Sequence, residues 1–158
     1  MNKIHLIYIS VLIFFILVFS FFILKKSEIV VISEQKSPYD HIKEQDIKVF
    51  KSKVELKVDN IVWSKFADTH SMEPVLAKDA NGLYTIPKSE EEVHVGDIVS
   101  YNPDLLGYGE RLIIHRVIKV DNDDNGWYAI IKGDNLSEPD PGKIRFNQIK
   151  RLLIGIIY

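Results

Sequence analysis

An uncharged stretch of nineteen residues near the amino terminus constrains this chain more than any other feature. It runs from Leu6 to Leu24 and consists mainly of Ile, Leu, Val and Phe. At 1.5 Å per residue, a helix of this length crosses most of the hydrocarbon core of a bilayer. A cleaved signal peptide usually has a shorter apolar region ending at small residues, whereas this one ends at Lys25 and Lys26. The sequence therefore predicts a permanent transmembrane anchor over residues 1–26.

The lysines that flank this stretch bear on its orientation in the membrane. Lys3 precedes it, whereas Lys25, Lys26 and Lys36 follow it. Positive charge is enriched in cytoplasmic flanks, so this distribution favours a cytoplasmic carboxyl-terminal region. That expectation conflicts with the function considered below.

Composition excludes several classes of function. Of 158 residues, roughly 130 follow the apolar stretch, which is enough for one domain with its own core. A net charge of −2 without a basic stripe argues against nucleic acid as a partner. The absence of cysteine excludes disulfides, a thiolate nucleophile and cysteine-ligated metals. Four histidines follow the apolar stretch and show no metal-ligand spacing, so we expect no metal and no cofactor. They are His41, His70, His94 and His115.

The chain after the anchor divides into a polar connection and a β domain. Residues 27–46 are mixed and polar, which predicts a stalk or linker. From residue 47 to 158 we expect a mainly β domain, because apolar residues alternate with lysine and glutamate around 54–58. The other predicted strands, rich in β-branched or aromatic residues, are 83–86, 98–101, 111–120, 127–132 and 152–157. An antiparallel β-sheet or barrel follows, with one short helix near Ser71 as an option.

Ser71 is the first candidate for chemistry. It lies in Asp68-Thr-His-Ser-Met-Glu-Pro-Val75, just before a proline, where the backbone turns and can expose a side chain. A hydrolytic serine needs a base, a group that orients the base and donors for the developing oxyanion. An isolated serine here is more often a turn or capping residue. Other parts of the sequence must therefore supply the missing groups.

Two further segments offer such groups. His115 interrupts the apolar strand 111–120, and an imidazole has the pKa that a general base needs near neutral pH. A satisfied core histidine is the alternative. Asp134 and Asp140 lie in the loop 132–141, where one carboxylate could accept a hydrogen bond from the imidazole and fix its tautomer. Surface aspartates are also common in such loops.

Together, and in this order, these segments resemble type I signal peptidases of the archaeal and endoplasmic-reticulum type. Four short motifs carry the resemblance: Ser-Met-Glu-Pro at 71–74, Gly-Asp-Ile-Val-Ser-Tyr at 96–101, Ile-His-Arg-Val at 114–117, and Lys-Gly-Asp-Asn at 132–135 followed by Asp140. It spans about residues 60–157 together with the anchor. The bacterial branch of this family uses lysine as the base, whereas the archaeal and reticulum branch has histidine where this chain has His115. The resemblance therefore implies a signal-peptidase-like β fold and a Ser/His/Asp site.

The resemblance also implies a role for each matching residue. It makes Ser71 the nucleophile, His115 the base, Asp140 the carboxylate that supports His115, and Asp134 a second, buttressing carboxylate. Thr69 matches a position where the family often has a hydroxyl residue that helps the backbone N–H of Ser71 to hold the oxyanion. The chain departs from the family at His70, because glycine usually precedes the nucleophile. A bulky residue there could narrow the substrate cleft.

These implications lead to an expected function with two alternatives. We expect a membrane-bound serine endopeptidase that removes signal peptides from secreted or membrane precursors on the extracytoplasmic face of the cell membrane. Its partners would be those precursors, membrane lipid around the anchor, and proteins of the secretion machinery. One alternative is a catalytically inactive β-domain that binds peptides or serves as an accessory subunit, which His70 encourages. The other is a protease that matures one specific precursor.

Overall fold

A computed structural model describes residues 35–103 and 112–158, which belong to one compact unit, Gln35–Tyr158. The predicted anchor at 1–26, residues 27–34 of the predicted linker and the first residue of the predicted strand 111–120 lie outside the described residues. Within the described part of the chain, no helix is long and apolar enough to span a membrane.

The described chain is mainly β, as the sequence predicts. Three short 3-10 helices occur at Glu44–Asp46, Glu90–Glu92 and Phe146–Gln148. The eight strands are β1 (Ile47–Val49), β2 (Val54–Leu56), β3 (Val62–Lys65), β4 (Asn81–Thr85), β5 (Ile98–Tyr101), β6 (Ile113–Asp123), β7 (Gly126–Lys132) and β8 (Ile149–Ile157). The prediction for β5 is confirmed residue for residue, and those for β4, β6, β7 and β8 are confirmed with shifted ends. The optional helix near Ser71 is wrong, because that segment forms consecutive turns.

Two antiparallel sheets are present among the described strands. Strands β1 and β2 form a small hairpin. The other six form one sheet in the order β3-β4-β8-β5-β6-β7, in which every neighbouring pair is antiparallel. Strand β5 lies in the interior of this order, and all four of its residues are buried. The β5–β6 pairing places Val99 opposite His115, which holds the candidate base on an interior strand.

Apolar residues cover both faces of the large sheet. Neighbouring residues in one strand belong to different clusters, since Val99 packs in the first and Ile98 in the second. The alternating direction of side chains along a strand explains this division. The second cluster also contains Phe66, Met72 and Leu76, which flank Ser71. Burying a methionine side chain stabilises a fold by roughly 1.5–3 kcal/mol, so Met72 ties the Ser71 segment firmly to the sheet.

Candidate active site

The Ser71 segment is held by the loop that follows β7. The backbone N–H of Asn135 donates to the carbonyl oxygen of Ser71 at 2.9 Å, and its side-chain amide donates to the carbonyl oxygen of His70 at 2.9 Å. Gly133 lies so close that a Cβ atom there would come within 2.7 Å of the Ser71 carbonyl oxygen. Glycine at this position therefore allows the two segments to meet, and their hydrogen bonds fix the backbone that carries Ser71.

Ser71, His115 and Asp140 form a continuous hydrogen-bonded chain. The Oγ atom of Ser71 is 3.0 Å from Nε2 of His115, and Nδ1 of His115 is 2.6 Å from Oδ2 of Asp140. Donation from Nδ1–H to the carboxylate leaves Nε2 as the acceptor of the serine proton, which is the tautomer that a general base requires. His115 is only 7 % exposed, so few orientations are open to its ring. The arrangement can remove a proton from Ser71 as its oxygen attacks.

Asp140 is positioned by contacts on two sides. Its backbone N–H donates to the carbonyl oxygen of Ile131 in β7 at 2.8 Å. Its Oδ2 atom also accepts a hydrogen bond from the hydroxyl of Tyr101, in β5, at 2.6 Å. Tyr101 is fully buried. The carboxylate oxygen that contacts His115 therefore has a second hydrogen-bond donor, the Tyr101 hydroxyl. The sequence did not identify Tyr101 as part of the site.

We expect Tyr101→Phe to lower kcat/KM for a cleavable precursor by about 10- to 100-fold, because a hydrogen bond to a charged group contributes about 1.5–3 kcal/mol. The lost donor frees Asp140 to reorient, so the pH profile of kcat/KM should shift as well. Tyr128→Phe is the matched control, since the Tyr128 hydroxyl donates to Asp121 and not to Asp140. Equal pH profiles and rates for wild type and Tyr101→Phe would contradict a positioning role.

Asp134, expected to buttress the site, forms a different set of contacts. Its two oxygens accept from Nε and Nη2 of Arg116 at 2.8 and 2.7 Å, and Nη1 of Arg116 donates to the carbonyl oxygen of Gly96 at 2.7 Å. The Asp134 side chain is 2 % exposed and the Arg116 side chain is 6 % exposed. Because successive side chains of a strand point in opposite directions, His115 and Arg116 leave β6 on opposite sides. The structure therefore brings Asp140, and not Asp134, to His115.

Thr69 contacts the hydroxyl of Ser71. The two side-chain oxygens are 3.1 Å apart. A serine hydroxyl has one proton, and in the tautomer described above that proton goes to His115, so Thr69 donates to the Ser71 oxygen. The structure thus places Thr69 beside the Ser71 hydroxyl, while the oxyanion role of Thr69 and the Ser71 backbone N–H stays a prediction.

An apolar pocket opens beside Ser71 and His115. Thr69, Ser71 and His115 form the polar part of its wall. The other wall residues are apolar: Phe66, Ala67, Met72, Leu76, Leu112, Ile113 and Ile114. A pocket of this kind accepts uncharged side chains and desolvates a peptide bond placed next to the serine.

His70 adopts a left-handed backbone conformation that glycine would adopt more easily. Its φ is +58°, in the left-handed region that non-glycine residues enter at a cost of about 1–2 kcal/mol. Its side chain is 67 % exposed and lies 2.8 Å from Glu73, measured from Nδ1 to Oε1. The backbone therefore turns at His70 in a conformation that glycine adopts more easily, and the imidazole is hydrogen-bonded to Glu73 and not to Ser71.

The Glu73 hydrogen bond, together with the negative charges of Glu73 and Asp68, raises the pKa of His70 above 6.5. A raised pKa in the folded state means that the pair favours folding below pH 6.5 and that this contribution disappears as pH rises through the folded-state pKa. We expect Glu73→Gln to lower the pKa of His70, measured by NMR titration of its ring protons. His94, far from Glu73 in sequence, serves as the internal control. An unchanged His70 titration would contradict the pairing.

Comparison of the chain with protein-family models, with curated proteins and with solved structures finds no match in any of the three. The residues of the site therefore carry the evidence for function.

Proposed function

We propose that this chain is a membrane-anchored serine endopeptidase with a Ser71/His115/Asp140 triad. The observation that carries the proposal is the hydrogen-bonded chain from the Ser71 hydroxyl through His115 to Asp140, at 3.0 and 2.6 Å. A serine hydroxyl is a poor nucleophile without a base, and this geometry is the one that such activation requires. A buried core histidine would not require a serine at one nitrogen and a carboxylate at the other.

The proposed reaction has two stages. Ser71 Oγ attacks the carbonyl carbon of the scissile peptide bond while its proton passes to Nε2 of His115, and Asp140 stabilises the imidazolium. Collapse of the tetrahedral intermediate breaks the C–N bond, and His115 gives the proton to the leaving amine, which leaves an acyl group on Ser71. Water then attacks the ester with His115 again as the base, releasing the new carboxylate and restoring the Ser71 hydroxyl.

The proposed substrates are precursors with a signal peptide, cleaved on the extracytoplasmic face of the cell membrane. Two features support this class: the sequence resemblance described above, and the predicted anchor, which would keep the site near the point where an apolar substrate helix leaves the bilayer. Tethering both partners to one membrane raises their effective concentration. The apolar pocket beside Ser71 is compatible with small uncharged residues next to the cleaved bond.

Cleavage of a defined precursor tests the proposed function. The full chain is reconstituted in liposomes with a precursor that carries an Ala-x-Ala site, and the product's new amino terminus is sequenced. We expect cleavage directly after the second alanine, and loss of cleavage when that alanine is replaced by a bulky residue. An intact precursor, in a preparation with a normal unfolding transition, would instead favour the non-catalytic alternative.

The side of the membrane is tested separately. In intact cells or right-side-out vesicles, an external protease should digest the carboxyl-terminal domain if that domain is extracytoplasmic. Protection of the domain until the membrane is permeabilised would agree with the lysine distribution and would exclude signal-peptide removal at that face.

A further inference from the structure

Three side chains with metal-binding atoms meet away from the candidate active site. His41 comes from the segment before β1, whereas His94 and Asp97 come from the turn before β5. One ligand atom from each residue lies within 4.8 Å of the others. His41 and His94 are 53 positions apart in the chain, which is why sequence spacing predicted no metal.

Asp97 contributes a buried carboxylate to this cluster, and backbone hydrogen bonds fix its orientation. It is 1 % exposed. Its Oδ1 atom accepts from the backbone N–H of Tyr39 at 2.9 Å, and its Oδ2 atom accepts from that of His94 at 2.8 Å. Backbone hydrogen bonds therefore hold both oxygens of a buried carboxylate in place.

His94 presents a nitrogen that the described residues leave unsatisfied. Its Nδ1 atom is shielded from solvent and has no hydrogen-bond partner within the described part of the chain. The nearest charged group, Oδ2 of Asp97, is 3.7 Å away, which is beyond hydrogen-bond distance. The ring of Tyr39 stacks on the His94 ring at 4.0 Å with an interplanar angle of 10°. The imidazole plane is thus fixed while one shielded nitrogen remains unpaired, a combination that costs free energy unless another group binds it.

We propose that Nε2 of His41, Nδ1 of His94 and the Asp97 carboxylate bind a divalent transition-metal ion of the Zn²⁺ type. Ligand atoms about 2.0–2.1 Å from a tetrahedral ion lie about 3.3 Å from one another. In the structure Nε2 of His41 is 3.0 Å from Oδ1 of Asp97, whereas Nδ1 of His94 is 3.7 Å from Oδ2, so each histidine faces its own carboxylate oxygen. Nε2 of His41 is hydrogen-bonded to Oδ1, and an ion that binds there displaces the shared proton. The three ligand atoms lie within 4.8 Å of one another, so the histidine side chains must move closer together to share one ion.

The chemistry of the donor set selects the class of ion. Two imidazoles and one carboxylate suit Zn²⁺ and its neighbours, whereas Mg²⁺ and Ca²⁺ prefer a shell of oxygen atoms. Three protein ligands leave the fourth position of a tetrahedral shell to a water molecule. Hydrogen bonds from backbone N–H groups hold both carboxylate oxygens, as the outer partners of metal ligands commonly do.

The position of the group indicates what the metal would do. The segment that carries His41 packs tightly on the turn before β5, since any side chain at Gly96 would collide with the carbonyl oxygen of Ser37. A metal shared by His41, His94 and Asp97 would tie this segment to the β domain. Binding to the folded state alone stabilises a protein by mass action. At a Zn²⁺ concentration of 100 Kd, we expect the midpoint of thermal unfolding to rise by roughly 5–10 °C.

The test uses the full chain in detergent after EDTA treatment and removal of the chelator. Titration with ZnCl₂ by calorimetry should show one site, and thermal unfolding should shift upward. His41→Gln and His94→Gln should each weaken Zn²⁺ binding at least tenfold and reduce the thermal shift by about half or more. Glutamine keeps a hydrogen-bond donor and an acceptor on an uncharged side chain, which limits damage to the fold.

Two control variants separate this site from other histidines. His70→Gln and His115→Ala should bind Zn²⁺ as the wild type does, because neither residue belongs to the group. The proposal is overturned if wild-type protein binds no Zn²⁺, if His41→Gln and His94→Gln bind it normally, or if His115→Ala abolishes binding. Peptide cleavage is not a readout, so the result is independent of the proposed protease function.

Discussion

Replacement of Ser71 or His115 by alanine is expected to reduce precursor cleavage by at least about 10³-fold, and the double variant should lose little more. Nucleophile and base act on the same proton, so removing either one disables the same step, and their effects are strongly non-additive. The 3.0 Å contact between Ser71 Oγ and His115 Nε2 is the structural basis of this coupling. Single-turnover rates measured in liposomes for wild type, both single variants and the double variant give the comparison directly.

The control for these rates is Ser52→Ala, which removes an exposed hydroxyl from the turn between β1 and β2. It should cleave at the wild-type rate. Ser71→Ala should unfold at the wild-type denaturant concentration. His115→Ala removes a buried side chain and one hydrogen-bond partner of Asp140, so its cleavage rate is compared per folded molecule. Equal cleavage by wild type, Ser71→Ala and His115→Ala would end the triad proposal.

The second large effect separates the two aspartates. Asp140→Asn should lower the cleavage rate by about 10⁴-fold with little change in stability, because an amide cannot hold His115 in the required tautomer. Asp134→Asn should instead lower the free energy of unfolding by about 3–5 kcal/mol, because the Arg116 guanidinium, only 6 % exposed, loses its charged partner. Cleavage per folded molecule should change far less.

Denaturant unfolding and kcat/KM, measured on the same preparations, distinguish the two residues. Asp121→Asn is a matched control, since Asp121 is exposed and pairs with Lys119. A stable Asp134→Asn protein that has lost cleavage, beside an active Asp140→Asn protein, would reverse the assignment.

Much of the fold could be predicted because local patterns report local structure. The run Ile98-Val-Ser-Tyr101 is β-branched and aromatic, and it forms a strand with the predicted ends. Strand β3 was not predicted, because its four residues include a serine and a lysine and its alternation is too short to recognise. Its partner β4 fixes it through pairing that no local pattern encodes.

Part of the candidate site could likewise be predicted from the sequence, and part could not. Ser71, His115 and Asp140 could be singled out from short motifs and their order, and the structure brings them together. Short motifs could not predict the partners of Asp134 or the contact of Tyr101 with Asp140. These contacts depend on which face of the sheet each side chain occupies. The same holds for His41 and His94, whose approach depends on how the chain before β1 packs on the turn before β5.

The central claim is that His115 activates the side chain at position 71, and the absence of cysteine from the chain allows a test without any substrate. Ser71→Cys would introduce the single thiol, whose pKa is read from its rate of alkylation by iodoacetamide as a function of pH. Pairing with an imidazolium lowers a thiol pKa well below its ordinary value of about 8.5. We predict such a lowered pKa in Ser71→Cys and an ordinary one both in Ser71→Cys/His115→Ala and in the exposed control Ser52→Cys. An ordinary thiol pKa in Ser71→Cys, unchanged by removal of His115, would contradict the account.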